Sequence, residues 1–234
     1  MSRILEICAA SLASARAAQA GGAHRIELCQ NLEQGGITPS YGLIRAVREQ
    51  LSIPVFVLIR PRPGGFVYDA DELATMRADI EVCRQLGCAG VVLGMLDATG
   101  RVDMAACQHL IEAANGLQVT FHRAIDACPD QGQALEEIIR LGCQRVLTSG
   151  GQATALEGQN QLAALITQAA GRISIMPGAG INGDNIQALA NSTVAQEFHA
   201  SAKRRVPADP AAGLFRAERF ETDAVLVAEL VAKL

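Results

Sequence analysis

The feature that most constrains this chain is an alternation that runs along its whole length: short apolar runs of strand character and longer helical stretches succeed one another eight times. Strands are predicted near 3–8, 24–29, 54–60, 89–94, 117–122, 144–149, 173–177 and 195–199. Helices are predicted near 11–20, 40–50, 70–86, 103–115, 131–141, 158–170, 183–190 and 223–233. Eight strand-helix pairs in 234 residues favour one closed parallel ring over an open sheet, so the expected fold class is α/β, a single TIM (β/α)8 barrel spanning 1–234. Composition agrees: 50% of residues are hydrophobic but only 3% aromatic, with no Trp, so the core is built from Ala, Leu, Ile and Val, as where helices lie on parallel strands.

Local signals support these cuts. Ser11 can cap the first helix, Thr38-Pro39-Ser40 opens the second, and Gly87, Gly116 and Gly142 each follow a helical pattern where a left-handed terminating residue is wanted. The segment 200–222 contains Pro207, Pro210 and Gly213 and no clear period. It is expected to be a long loop after strand 8, of a length that is often functional.

Several function classes are disfavoured. With 20 basic and 24 acidic residues the net charge is −4, and the short run Lys203-Arg204-Arg205 reads as a solvated loop, so a nucleic-acid footprint is missing. No apolar stretch approaches the ~18 residues of a membrane span, and a cytoplasmic location is expected. Seven cysteines, at 8, 29, 83, 88, 107, 128 and 143, include no repeated C-x-x-C and point to reduced thiols. Cys83, Cys88, Cys107 and Cys143 read as small core hydrophobes.

In a barrel of this kind the reacting face is the carboxyl end of the strands. Strands 1 and 2 carry an echo, "ILEIC" and "RIELC", with an acid and a thiol two residues apart and therefore on one strand face. If Leu5, Ile7, Ile26 and Leu28 face the helices, then Glu6, Cys8, Arg25, Glu27 and Cys29 face the barrel axis. Further round, His122, Arg123 and Asp126 follow strand 5, and His199 and Ser201 close strand 8. Buried charges of this kind must neutralise one another or serve a ligand. One reading is an ionic layer of Glu6, Glu27, Arg25 and Arg60 that holds the barrel together. The other is an acid–base set, Glu6, Glu27, His122, His199 and Asp126, acting at neutral pH.

Anion-holding groups are also expected. Arg60 and Arg62, stiffened by Pro61 and followed by Pro63-Gly64-Gly65, form a fork suited to a carboxylate or phosphate, with Phe66 and Tyr68 placed to close over it. "SGG" at Ser149, Gly150 and Gly151, and "PGAG" with Gly178 and Gly180, offer backbone N–H groups that suit an anion at a helix start. Arg123 and Ser201 complete the expected ligand-binding set.

The series "LEICAAS", "GAHRIELC", "GGITPSYG", "RPRPGGFVY", "GVVLGML", "TFHRAID", "LTSGG", "PGAGIN" and "EFHAS" resembles the motifs of the CutC family, from residue 4 to about 201. "PGAG" departs from the family pattern at its Pro. The resemblance implies a cytoplasmic TIM barrel, usually a homo-oligomer such as a dimer, associated by name with copper homeostasis. Copper would have one good site: Cys8 and Cys29 end neighbouring strands about 4.8 Å apart, and thiolates suit Cu(I). No nucleotide cofactor, nucleic acid or membrane partner is expected. The alternative function is a TIM-barrel enzyme of unknown reaction on a small anionic or phosphorylated metabolite.

Overall fold

The structure, a computed structural model, describes residues 3–207, 210–215 and 219–234. Eight parallel strands, β1 (Ile4–Ala9), β2 (Arg25–Leu28), β3 (Val55–Leu58), β4 (Gly90–Leu93), β5 (Gln118–Phe121), β6 (Arg145–Thr148), β7 (Ser174–Pro177) and β8 (Glu197–Ala200), form one sheet. Its hydrogen-bonded order runs β7-β6-β5-β4-β3-β2-β1-β8, and β7 lies beside β8, so the sheet curls into a nearly closed barrel. The helices α1 (Leu12–Ala20), α2 (Tyr41–Gln50), α3 (Ala70–Gln85), α4 (Met104–Ala113), α5 (Gln131–Arg140), α6 (Gln159–Ala169), α7 (Ile186–Thr193) and α8 (Ala224–Ala232) follow the strands. The fold is the expected TIM barrel.

The expected caps are present. Ser11 Oγ accepts from the Ser14 amide at 3.1 Å and Ser40 Oγ from Leu43 at 3.3 Å. Gly87, Gly116 and Gly142 have φ of +67°, +89° and +80°, a region open to them without a Cβ clash. Helix α7 starts three residues later than predicted because Asn182 and Asn185 build a turn first: Asn185 Oδ1 accepts from the Asn182 amide and Asn182 Oδ1 from Asp184. The 200–222 segment is not irregular throughout. Its ends pair as an antiparallel hairpin, β9 (Lys203–Val206) and β10 (Arg219–Thr222), and the Thr222 amide donates to Ser14 Oγ of α1 at 3.1 Å. The ladder rests on backbone pairing between mostly charged residues, so no apolar period announces it.

The buried side chains form two bodies. The larger lies between strands and helices and takes in Leu5, Ile7, Ile26 and Leu28; the smaller is inside the barrel and comprises Cys8, Cys29, Phe56, Leu58 and Val92. Alternation along β1 and β2 therefore sorts as expected. At the base of the lumen the Phe56 ring packs against two guanidiniums, 5.4 Å from Arg25 and 4.9 Å from Arg145. Gly90 opposite makes room: a Cβ there would stand 2.3 Å from the ring.

Candidate functional site

Above this plug the strand ends enclose a cavity of about 700 Å³, within the range of small-molecule sites. Of the residues singled out from sequence, Cys8, Glu27, Cys29, Arg60, His122, Arg123, Asp126, Gly151, Gly180, His199 and Ser201 line it. Glu6 lies just beneath, while Arg62, Ser149, Gly150 and Gly178 are not on its wall.

Beneath the cavity the charges are matched. Glu6, fully buried, pairs with Arg25 at 2.5 Å through one oxygen and with His199 Nδ1 at 2.7 Å through the other. Glu197 pairs with Arg25 and, at 3.1 Å, with Arg145. Burial resists ionisation of Glu6, but Arg25 and His199 outweigh it and hold its carboxyl at about 2. Glu197 is likewise held below its usual value against burial, by Arg25 and Arg145. Arg145 and Phe56 escape a reading confined to strand ends. Their signal is strand parity: "RIEL" and "RVLT" both open with an inward Arg.

The β1–β2 corner is sparsely partnered. Cys8 Sγ and Cys29 Sγ stand 3.2 Å apart, and both thiols and a Glu27 oxygen lie within 4.8 Å of one another. The separation is well beyond the ~2.05 Å of a disulfide, so these are free thiols. Cys29 and burial raise the Cys8 thiol well above its ordinary value. Glu27 has His199 Nε2 at 3.7 Å, and burial pushes its carboxyl up despite that imidazole. His199 reaches both carboxylates. Burial alone would favour its neutral form, but Cys8, Glu6 and Glu27 raise it well above the ordinary imidazole value.

The β5–β6 corner is saturated. Asp126 accepts from Thr148 Oγ1 at 2.5 Å, from the amides of Ser149 and Gly151 at 3.1 Å, and from Ser149 Oγ at 3.0 Å. It also pairs with Arg123 at 2.8 Å. The Gly150 amide donates to Thr148 Oγ1 and the Gly178 amide to the Thr148 carbonyl. The bare N–H groups expected of "SGG" are thus taken by the protein's own side chains. Neither glycine loop opens a helix directly, since α6 starts at Gln159 and α7 at Ile186.

The two arginines of "RPRP" part company, because the chain bends over residues 61–64 after β3 and residues 60 and 62 no longer share the face that an extended strand would give them. Arg62 pairs with Glu72 at the start of α3, stacks 5.1 Å from Tyr68, and stays outside the cavity. Arg60 turns inward, where Nη1 donates to the Gly36 carbonyl and Nη2 to Gly64, both at 2.7 Å. No fork of two arginines forms. His122 packs its ring 5.0 Å from Phe66, and its Nδ1 accepts from the Ala124 amide at 3.2 Å. Burial, helped by Arg60, lowers this imidazole to about 3, so it is neutral.

The CutC family model matches residues 3–204. The chain belongs to the CutC family. A family protein CutC of Xanthomonas axonopodis pv. citri is 60% identical over 199 residues, covering 85% of this chain and 83% of that protein. One of Bacteroides thetaiotaomicron is 52% identical over 205 residues, covering 87% and 82%. Among solved structures, the putative copper homeostasis protein CutC from Streptococcus agalactiae superposes with a TM-score of 0.81 at 35% identity, covering 84% of this chain and 97% of that one. N-(5'-phosphoribosyl)anthranilate isomerase from Pyrococcus furiosus, at TM-score 0.62 and 16% identity over 99% and 98%, shares the barrel fold. Among the described residues no helix is long and apolar enough to cross a membrane.

Proposed function

We propose that this CutC-family chain takes part in copper homeostasis by binding Cu(I) through Cys8 and Cys29. The observation that carries this reading is the pair of thiols 3.2 Å apart at the cavity floor. The donor set suits the ion: soft sulfur on neighbouring strands, walled by Phe56, Leu58 and Val92, favours Cu(I) over harder cations. Binding displaces thiol protons, so copper uptake strengthens as pH rises. Competition against a Cu(I) chelator of known affinity tests it. Wild type is expected to win copper from the chelator and Cys8→Ser/Cys29→Ser to lose it; equal affinity in both removes the proposal.

A second reading is an enzyme acting on a small anionic metabolite, with Glu27 and His199 exchanging a proton. It is supported by His199 bridging Glu6 and Glu27 at the floor of a cavity far larger than one ion needs. Mass spectrometry of whatever is released on denaturing the freshly purified protein tests it. A stoichiometric organic anion is expected, and an empty cavity counts against it.

A further inference from the structure

Four buried side-chain polar atoms have no hydrogen-bond partner among the described residues: Arg48 Nε, Arg60 Nε, Tyr68 Oη and His122 Nε2. Two of the four, Arg60 Nε and His122 Nε2, belong to residues on the wall of one cavity. A buried donor left unpaired costs free energy, so its recurrence at one spot marks something that belongs there. Both cavity donors are N–H groups. Arg60 Nε always carries hydrogen, and His122 carries its single proton on Nε2, because Nδ1 accepts from the Ala124 amide.

The charge at this spot is also unanswered. Arg60 is only 6% exposed, its terminal nitrogens donate to the neutral carbonyls of Gln34, Gly36 and Gly64, and no carboxylate among the described residues pairs with it. Every other buried arginine of the lumen has an acid: Arg25 has Glu6 and Glu197, and Arg145 has Glu197. A desolvated guanidinium without a counter-ion is an anion site that lacks its anion. The nearby wall is apolar. The Phe66 ring lies 5.3 Å from the Arg60 guanidinium and 5.0 Å from the His122 ring, and Phe66 and Leu58 line the same cavity.

We infer that Arg60 and His122 anchor the carboxylate of a small organic acid, with Phe66 and Leu58 against its carbon skeleton and the thiol corner beyond it. A carboxylate is favoured over phosphate on two grounds. One unneutralised cation and two free N–H groups match a monoanion with two oxygens. The amides of "SGG", at Ser149, Gly150 and Gly151, which would serve a phosphate's further oxygens on the β6 side of the cavity, are already spent on Asp126 and Thr148. The inference supplies a ligand class for the second reading above but does not need turnover, and it is independent of copper.

Metal-free protein titrated with acetate, pyruvate, succinate and inorganic phosphate tests it, with melting temperature and the side-chain nitrogen resonance of His122 Nε2 as readouts. At least one carboxylate is expected to raise the melting temperature and move that resonance, with phosphate at equal concentration doing neither. Arg60→Lys keeps the positive charge but loses the Nε–H, and His122→Asn keeps an acceptor for the Ala124 amide but loses Nε2. Each is expected to weaken the carboxylate by about tenfold or more, the scale of one hydrogen bond to a charged group. Circular dichroism identifies a variant that fails to fold, and the other then decides. Cys8→Ser/Cys29→Ser is expected to bind the carboxylate as wild type does, which separates this site from the copper reading. Carboxylates that leave the His122 resonance in place, tighter binding of phosphate, or a folded variant with unchanged affinity would each overturn the assignment.

Discussion

Glu27 and Asp126 face the same cavity from opposite sides of the barrel, and their surroundings could hardly differ more. Asp126 is met by two backbone amides, two hydroxyls and a guanidinium; Glu27 has one imidazole 3.7 Å away and two thiols. Glu27 lies within β2 and Asp126 follows β5, each in a motif with reactive residue types. What separates them is whether the fold has already spent their bonding capacity. Asp126 ties the β6 loop to the β5 end and has little left to offer, whereas Glu27, the thiols and His199 retain capacity for something else.

Removing the saturated carboxylate should do the most damage. Asp126→Ala strands two amides and is expected to destabilise the protein by about 2–4 kcal/mol, read by chemical denaturation. Next comes His122. The unfolded chain takes up a proton near 6.5, while the folded ring resists until about 3, so the unfolded state binds more protons in that window. Stability is therefore lost as pH falls from 6.5 towards 3, by up to about 1.4 kcal/mol per pH unit from this group. His122→Asn should flatten that part of the wild-type profile; an identical slope in both proteins would show the imidazole is not kept neutral by the fold. Arg62→Ala, at a half-exposed pair at the protein's rim, is expected to cost about 1 kcal/mol. Glu27→Gln should cost least. A carboxyl already pushed toward its neutral form loses little on becoming an amide, so a change within about 1 kcal/mol is expected, and a loss as large as that of Asp126→Ala would erase the contrast.

The fold was legible because period and punctuation agree: each strand is a short apolar run, and most helices have a capping Ser or Asp before them or a Gly after. The inward sorting of "ILEIC" and "RIELC" was legible for the same reason, since alternation is a property of the backbone. Which polar groups stay free was not. Nothing in "SGG" says that an aspartate 23 residues earlier will fill its amides, and nothing in "RPRP" says that one arginine finds Glu72 while the other finds only carbonyls. Those outcomes depend on contacts between distant loops. The hairpin of β9 and β10 leaves no periodic signal, because its strands carry charge where a core-facing strand would alternate.

The aromatic ring packed against Arg25 and Arg145 has a consequence for traffic. It stoppers the barrel from below, and the cavity walls stop short of it, reaching Cys8 and Glu27 but not Phe56. Among the described residues, what reaches the thiols through this cavity passes a wall that also carries Arg60, His122 and Lys203. An occupant of the outer wall stands guard over the inner one, and delivery and release become a queue.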